Sequence, residues 1–183
     1  METIDLLVGN FNISSSKTVI SDPCYSRTLD SGITYLDKVK NGLWHGVVKI
    51  LDKKQTQGWG ERNTELLVVH HDSLFIKSPK WSKHKTKIGV DSGQVGIFCN
   101  SLYPHTEIDS EDCNSETSFY GQCCKATLKT KHSCDIVGNK GIVSSSGFGD
   151  GEYKLFVSKN NNEEIIAIKI VFIDSKDLQE ERI

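Results

Sequence analysis

The chain has 183 residues, enough for one domain with a substantial core, and its 37% hydrophobic and 25% charged content excludes a disordered polypeptide. A net charge of −2, from 22 Lys and Arg against 24 Asp and Glu, argues against a dedicated polyanion binder, since such domains are basic overall, but is compatible with one local basic patch. No run approaches the roughly 18 apolar residues of a membrane span, and Leu6–Val8, preceded by two acids and no basic residue, is too short for a secretory leader, so the expectation is a cytoplasmic protein (host cytoplasm if viral) without a membrane partner.

Strand-like alternation dominates the chain. Candidate strands are 5–8, 17–21, 46–51, 65–70, 87–90, 95–99, 141–145, 152–158 and 164–173, most rich in Val, Ile and aromatics and bounded by Gly, Asn, Asp or Ser. Leu29 to Lys40 allows a short helix, against which Gly32 and the β-branched residues count. Ser110 to Leu128 is the better helix, with Ser110 as cap, Glu111 and Asp112 near its positive end, and Phe119/Cys123 and Tyr120/Cys124 at i,i+4 spacing. The last two strands form the clearest hairpin. Tyr153, Leu155 and Val157 share a face before the turn Lys159–Glu163, and Ile166, Ile168, Ile170 and Phe172 share one after it. The return strand is apolar on both sides, which predicts a central place in its sheet. The fold expected is one mainly-β domain over 1–183, an antiparallel sandwich or partly open barrel with one or two short helices.

Three strand ends carry an aspartate. Asp22 follows the 17–21 strand and is stopped by Pro23, Asp91 lies in Val90-Asp91-Ser92-Gly93-Gln94, and Asp150 lies in Ser146-Gly147-Phe148-Gly149-Asp150-Gly151. A strand, not a helix, follows Gly151, and no Gly-Lys-Ser/Thr is present, which excludes dinucleotide and Walker loops. Asp150-Gly151 between alternating runs predicts a hairpin with a type I′ turn. Three glycines in five residues exceed what one turn needs, and open backbone N–H groups there suit an anion or polar ligand. If the three ends meet, they form a polar pocket with Asp22, Tyr25, Asp91, Ser92, Gln94, Ser145, Ser146, Gly147, Gly149, Asp150 and Tyr153 as its ligand-binding residues. The alternative is three independent turns, because Asp bonds nearby backbone in ordinary turns. With no continuous EF-type loop, the three aspartates would hold a cation only as a discontinuous set. No metal site and no cofactor is assigned.

The six cysteines lack a CxxC knuckle, so they read as free, mostly buried thiols. Cys24 becomes a candidate nucleophile only if His45, His70 or His71 lies within reach. His70 and His71 are neighbours on a strand and point to opposite faces, so they do not chelate one metal together. Lys77 to Lys87 holds five lysines and Trp81, a solvated loop or a contact for an anionic ligand or nucleic-acid backbone. Glu107 to Glu116 is acidic and reads as an exposed loop.

The three turns together resemble an uncharacterised bacterial and phage family, catalogued as a domain of unknown function, with Asp-Pro near the start, Val-Asp-Ala/Ser-Gly midway and Ser-Gly-Trp/Phe-Gly-Asp-Gly-x-Tyr late. In this chain the corresponding residues are Asp22-Pro23, Val90-Asp91-Ser92-Gly93-Gln94 and Ser146 to Tyr153, and the likeness runs from about residue 18 to 173. The resemblance implies a compact, mainly-β domain and supplies no reaction; the cysteines and the lysine run lie outside it. The expected function is binding of a small anionic or polar ligand, with sequestration of a phosphate-bearing or nucleotide-type signalling molecule as one use. Nucleic acid is not the expected partner, and no motif sets an oligomeric state. The alternatives are a hydrolase using Asp22, Asp91, Asp150 or Cys24, and a protein-interaction domain using a strand edge or the lysine run.

Overall fold

In a computed structural model, residues 2–27, 32–56, 58–76, 79–104, 112–174 and 176–177 are described. Among them are eleven strands and one α-helix: β1 (Thr3–Ile13), β2 (Lys17–Ser21), β3 (Thr34–Asp37), β4 (Gly42–Leu51), β5 (Arg62–His70), β6 (Trp81–Val90), β7 (Gln94–Cys99), α1 (Phe119–Leu128), β8 (Cys134–Val137), β9 (Gly141–Ser145), β10 (Gly151–Lys159) and β11 (Ile165–Val171). They build two antiparallel sheets, a six-stranded one in the order β1-β4-β5-β11-β10-β6 and a five-stranded one in the order β3-β2-β7-β9-β8. The sheets face each other as a sandwich and do not close into a barrel.

Period-two alternation decides which side chains enter the core. Phe11, Trp44, Val48, Leu66, Ile168 and Ile170 point inward from the larger sheet and meet Ile20, Val95, Ile97 and Ile142 from the smaller. Val19, Phe98 and Val143 point the other way, into a second cluster closed by Cys123 and Ala126 of α1 and by Tyr103. The smaller sheet is thus covered on both faces, and every residue of β7 is buried. Among the described residues no helix covers the outer face of the larger sheet.

The sequence expectations hold for most strands, and β11 lies between β5 and β10 as its two-sided apolarity predicts. Two elements differ. The Leu29–Lys40 helix is not formed where the residues are described: Thr34–Asp37 is the edge strand β3, with Thr34 and Leu36 buried and Tyr35 and Asp37 exposed. Leu29 to Ser31 lie outside the described residues. The later helix is shorter than expected and starts at Phe119, capped by Ser118, whose Oγ accepts from the Gly121 amide at 3.0 Å. Ser110 and Glu111 lie outside the described residues, and 112–118 are turns and bends. Among the described residues no helix is long and apolar enough to cross a membrane.

The Asp150-Gly151 hairpin is a third correction. β9 pairs with β7 and β8 in the smaller sheet, whereas β10 pairs with β6 and β11 in the larger. The glycine segment carries the chain from one sheet to the other. Both geometries need sharp turns with positive φ, so the sequence signal is shared.

Candidate functional site

β6–β7 and β9–β10 cross between the sheets side by side. Gly151 pairs with Val90 in the larger sheet and Ser145 with Gln94 in the smaller, so one two-stranded ribbon folds over at residues 91–93 and 146–150. The Ser146 amide donates to the Gly93 carbonyl at 3.0 Å and stitches the two crossings together. A bent ribbon interrupts its ladder, and the freed amides need new acceptors. Asp22, at 0% exposure, supplies them. Its Oδ2 accepts from the Asp91 amide at 2.9 Å and the Ser92 amide at 2.7 Å; its Oδ1 accepts from Ser92 Oγ at 2.5 Å and the Cys24 amide at 2.9 Å. Tyr25 donates its hydroxyl to Asp91 Oδ2 at 2.7 Å.

The second crossing closes on itself. The Gly149 amide donates to the Ser146 carbonyl at 2.9 Å, and Ser146 Oγ donates to the Gly149 carbonyl at 2.8 Å. Tyr153 caps the turn from below, its hydroxyl shared between the Ser146 carbonyl at 2.8 Å and that of Gly149. Gly147 has φ +59°, and a Cβ there would lie 2.9 Å from Ile173 Cγ1 and 3.0 Å from Phe172 Cβ, so only glycine fits without displacement. Asp150 is exposed and makes no hydrogen bond or ion pair among the described residues. The three turns therefore meet, and their polar groups bond chiefly to one another.

Charge and burial at the corner also bear on chemistry. Burial, then the Asp22 carboxylate, pushes the Cys24 thiol up to about 12, which leaves little thiolate at neutral pH. Burial and the hydrogen bond to Asp91 raise the Tyr25 phenol in the same way. The three histidines named for Cys24 bond elsewhere: His45 Nε2 meets His71 Nδ1 at 2.9 Å, and His70 Nε2 meets the Asn41 carbonyl at 2.9 Å. All six cysteines are free, with Cys99, Cys123, Cys124 and Cys134 buried. Among the described residues no three His, Cys, Asp or Glu side chains are grouped to hold a metal.

On one side of the corner opens a cleft of about 390 Å³. Ser92, Gln94, Ser145 and Gly147 line it; of the other predicted site residues, Asp22, Tyr25, Asp91, Ser146, Gly149, Asp150 and Tyr153 do not. Much of the remaining wall comes from Glu61, Arg62 and Asn63 where β5 begins, Tyr120 and Cys124 of α1, and Lys131, His132 and Ser133 before β8. Asn63 Nδ2 anchors the floor, donating to Ser144 Oγ at 2.9 Å, the His132 carbonyl at 3.0 Å and Ser145 Oγ at 3.1 Å. Gln94 ties α1 to β7, accepting from Thr127 Oγ1 at 3.1 Å and donating to Cys124 Sγ at 3.4 Å.

Among the described lining residues the fixed cations, Arg62 and Lys131, outnumber the carboxylates. His132 Nδ1 lies 2.7 Å from Glu61 Oε1. Arg62 Nη1 donates to the Glu61 carbonyl at 3.1 Å, while its buried Nε–H has no partner among the described residues. Glu61 is the one carboxylate among the described lining residues. Sequence reasoning missed Glu61, Arg62, Asn63, Lys131 and His132, because nothing local marks Glu61-Arg62-Asn63 or Lys131-His132 as more than loop and strand start.

Compared with known proteins, the chain matches no family model, no curated protein and no solved structure.

Proposed function

We propose that this protein binds a small anionic molecule, phosphate- or carboxylate-bearing, in the cleft beside the corner. The observation that carries the reading is the charge of the wall: Arg62 and Lys131, with His132 beside them, line the cavity, and Glu61 is the single carboxylate among its described lining residues. The volume suits a small ligand, for which pockets run from roughly 300 Å³ upward. Ser92, Ser133, Ser145 and Tyr120 add hydroxyls able to fix the uncharged part of such a molecule. Sequestration of a phosphate-bearing signalling molecule is one use of such a site.

The test is native mass spectrometry of the purified protein after incubation with a small-molecule cell extract. The expected result is one discrete added mass, released unchanged on denaturation, whose compound carries phosphate or carboxylate. A bound compound without either group overturns the anionic reading.

Hydrolysis is a second reading, and the His132–Glu61 pair favours it. A carboxylate on Nδ1 orients the imidazole and leaves Nε2 able to take a proton from water. Recovery of a cleaved product in the same experiment selects this reading.

A further inference from the structure

The lysine run singled out in the sequence is a strand, not a solvated loop. β6 forms one edge of the larger sheet, and Ile88 and Val90 fill the core while Trp81, Lys83, Lys85 and Lys87 occupy the positions of opposite parity. Lys77 and Ser78 lie outside the described residues. The register continues this face inward: Lys83 pairs with Phe156, and Phe156 with Lys169 on β11. The Lys169 ammonium stands 4.7 Å from the centre of the Trp81 ring and 5.3 Å from that of Phe156. Both rings remain partly exposed.

Along the β6 edge, Lys80, Ser82, Lys83, His84, Lys85, Val157 and Lys159 line an open groove of about 500 Å³, and Lys83, the partner of Phe156, joins it to the ring-bearing face. Its one described carboxylate, Glu163, is already paired with Lys159 at 2.9 Å. Lys80, Lys83, Lys85 and Lys169 make no ion pair within the described residues. In a chain of net charge −2, the sequence gathers Lys80, Lys83 and Lys85 in one run and the fold brings Lys169 to the same face. Lysines on an edge strand also deter strand pairing. That role does not explain Lys169, which projects from a central strand, or two partly exposed rings on the same face.

We propose that this outer sheet face and β6 groove bind single-stranded nucleic acid. Unpaired bases present faces for Trp81 and Phe156, and the lysines follow the phosphate backbone. Duplex DNA buries those base faces and is the poorer ligand.

The test is fluorescence anisotropy with a labelled twelve-nucleotide oligo(dT), between 50 and 200 mM salt. Saturable binding is expected, with a log–log salt slope of about −2 to −3, as three or four phosphate contacts to a single strand predict. The double variant Lys83→Glu/Lys85→Glu should bind at least tenfold more weakly while melting as the parent does. Trp81→Ala should weaken binding severalfold, and Arg62→Gln, in the cleft, should not change it. Absence of binding at 50 mM salt, or equal binding by the Lys83→Glu/Lys85→Glu variant, overturns the proposal. Competition by poly-glutamate as effective as by unlabelled oligo(dT) also overturns it, in favour of an acidic protein partner.

Discussion

The corner and the cleft lie side by side, share Ser92, Gly93 and Gly147, and spend their polar groups in opposite ways. At the corner Asp22 accepts four hydrogen bonds and is fully buried, and Tyr153 closes the Ser146–Gly149 turn. In the cleft Arg62 keeps an unbonded buried N–H, and Lys131 makes no ion pair among the described residues. Where donors and acceptors balance, strand-end polar residues hold the fold together. Where fixed cations outnumber carboxylates among the described residues, the proposed reading assigns them to a ligand. Aspartates and glycines are the conspicuous residues in the sequence, yet the proposed function puts the ligand with Arg62, Lys131 and His132.

Substitutions can break this comparison on the corner side. Asp22→Asn should have the largest effect. Both carboxylate oxygens accept backbone N–H groups, so either orientation of the amide turns its NH₂ toward a donor. A loss of about 2–4 kcal/mol is expected, read as a melting temperature lower by roughly 5–15 °C. Melting within 2 °C of the parent would remove the clamp from the account. Gly147→Ala comes next. It combines positive φ with close contact to Phe172 and Ile173, and denaturant titration should show about 1–3 kcal/mol lost. Tyr153→Phe should cost about 1 kcal/mol, the worth of one hydroxyl hydrogen bond. Asp150→Asn is the smallest: exposed, and unbonded among the described residues, it should shift stability by under about 0.5 kcal/mol and leave anion binding unchanged. Abolished binding with an unchanged melt would return Asp150 to the site.

Much of this architecture is legible in the residues. Alternation marks most strands because a strand in a sandwich has one wet or differently packed face. β3 and β8 escape notice because four residues, Thr34–Asp37 or Cys134–Val137, are too few to establish a period. The Asp150-Gly151 segment carries true turn chemistry, but a turn within one sheet and a crossing between two require the same backbone. The cleft is least legible. Arg62, Ser92, Tyr120, His132 and Ser145 are joined by pairings such as Gln94 with Ser145 and by the packing of α1, and none of these leaves a local pattern.

Whether the cation-bearing cleft is an anion site can be decided by one comparison. Calorimetric titration of inorganic phosphate and then nucleoside 5′-monophosphates into the parent protein and into Arg62→Gln, with both melting temperatures recorded, isolates the guanidinium. The account predicts saturable binding by the parent and binding weaker by about 10- to 100-fold in Arg62→Gln, as loss of one charge-assisted hydrogen bond implies, with melting temperatures within a few degrees. Equal affinity in the two proteins, or no binding of any of these anions by the parent, would contradict it.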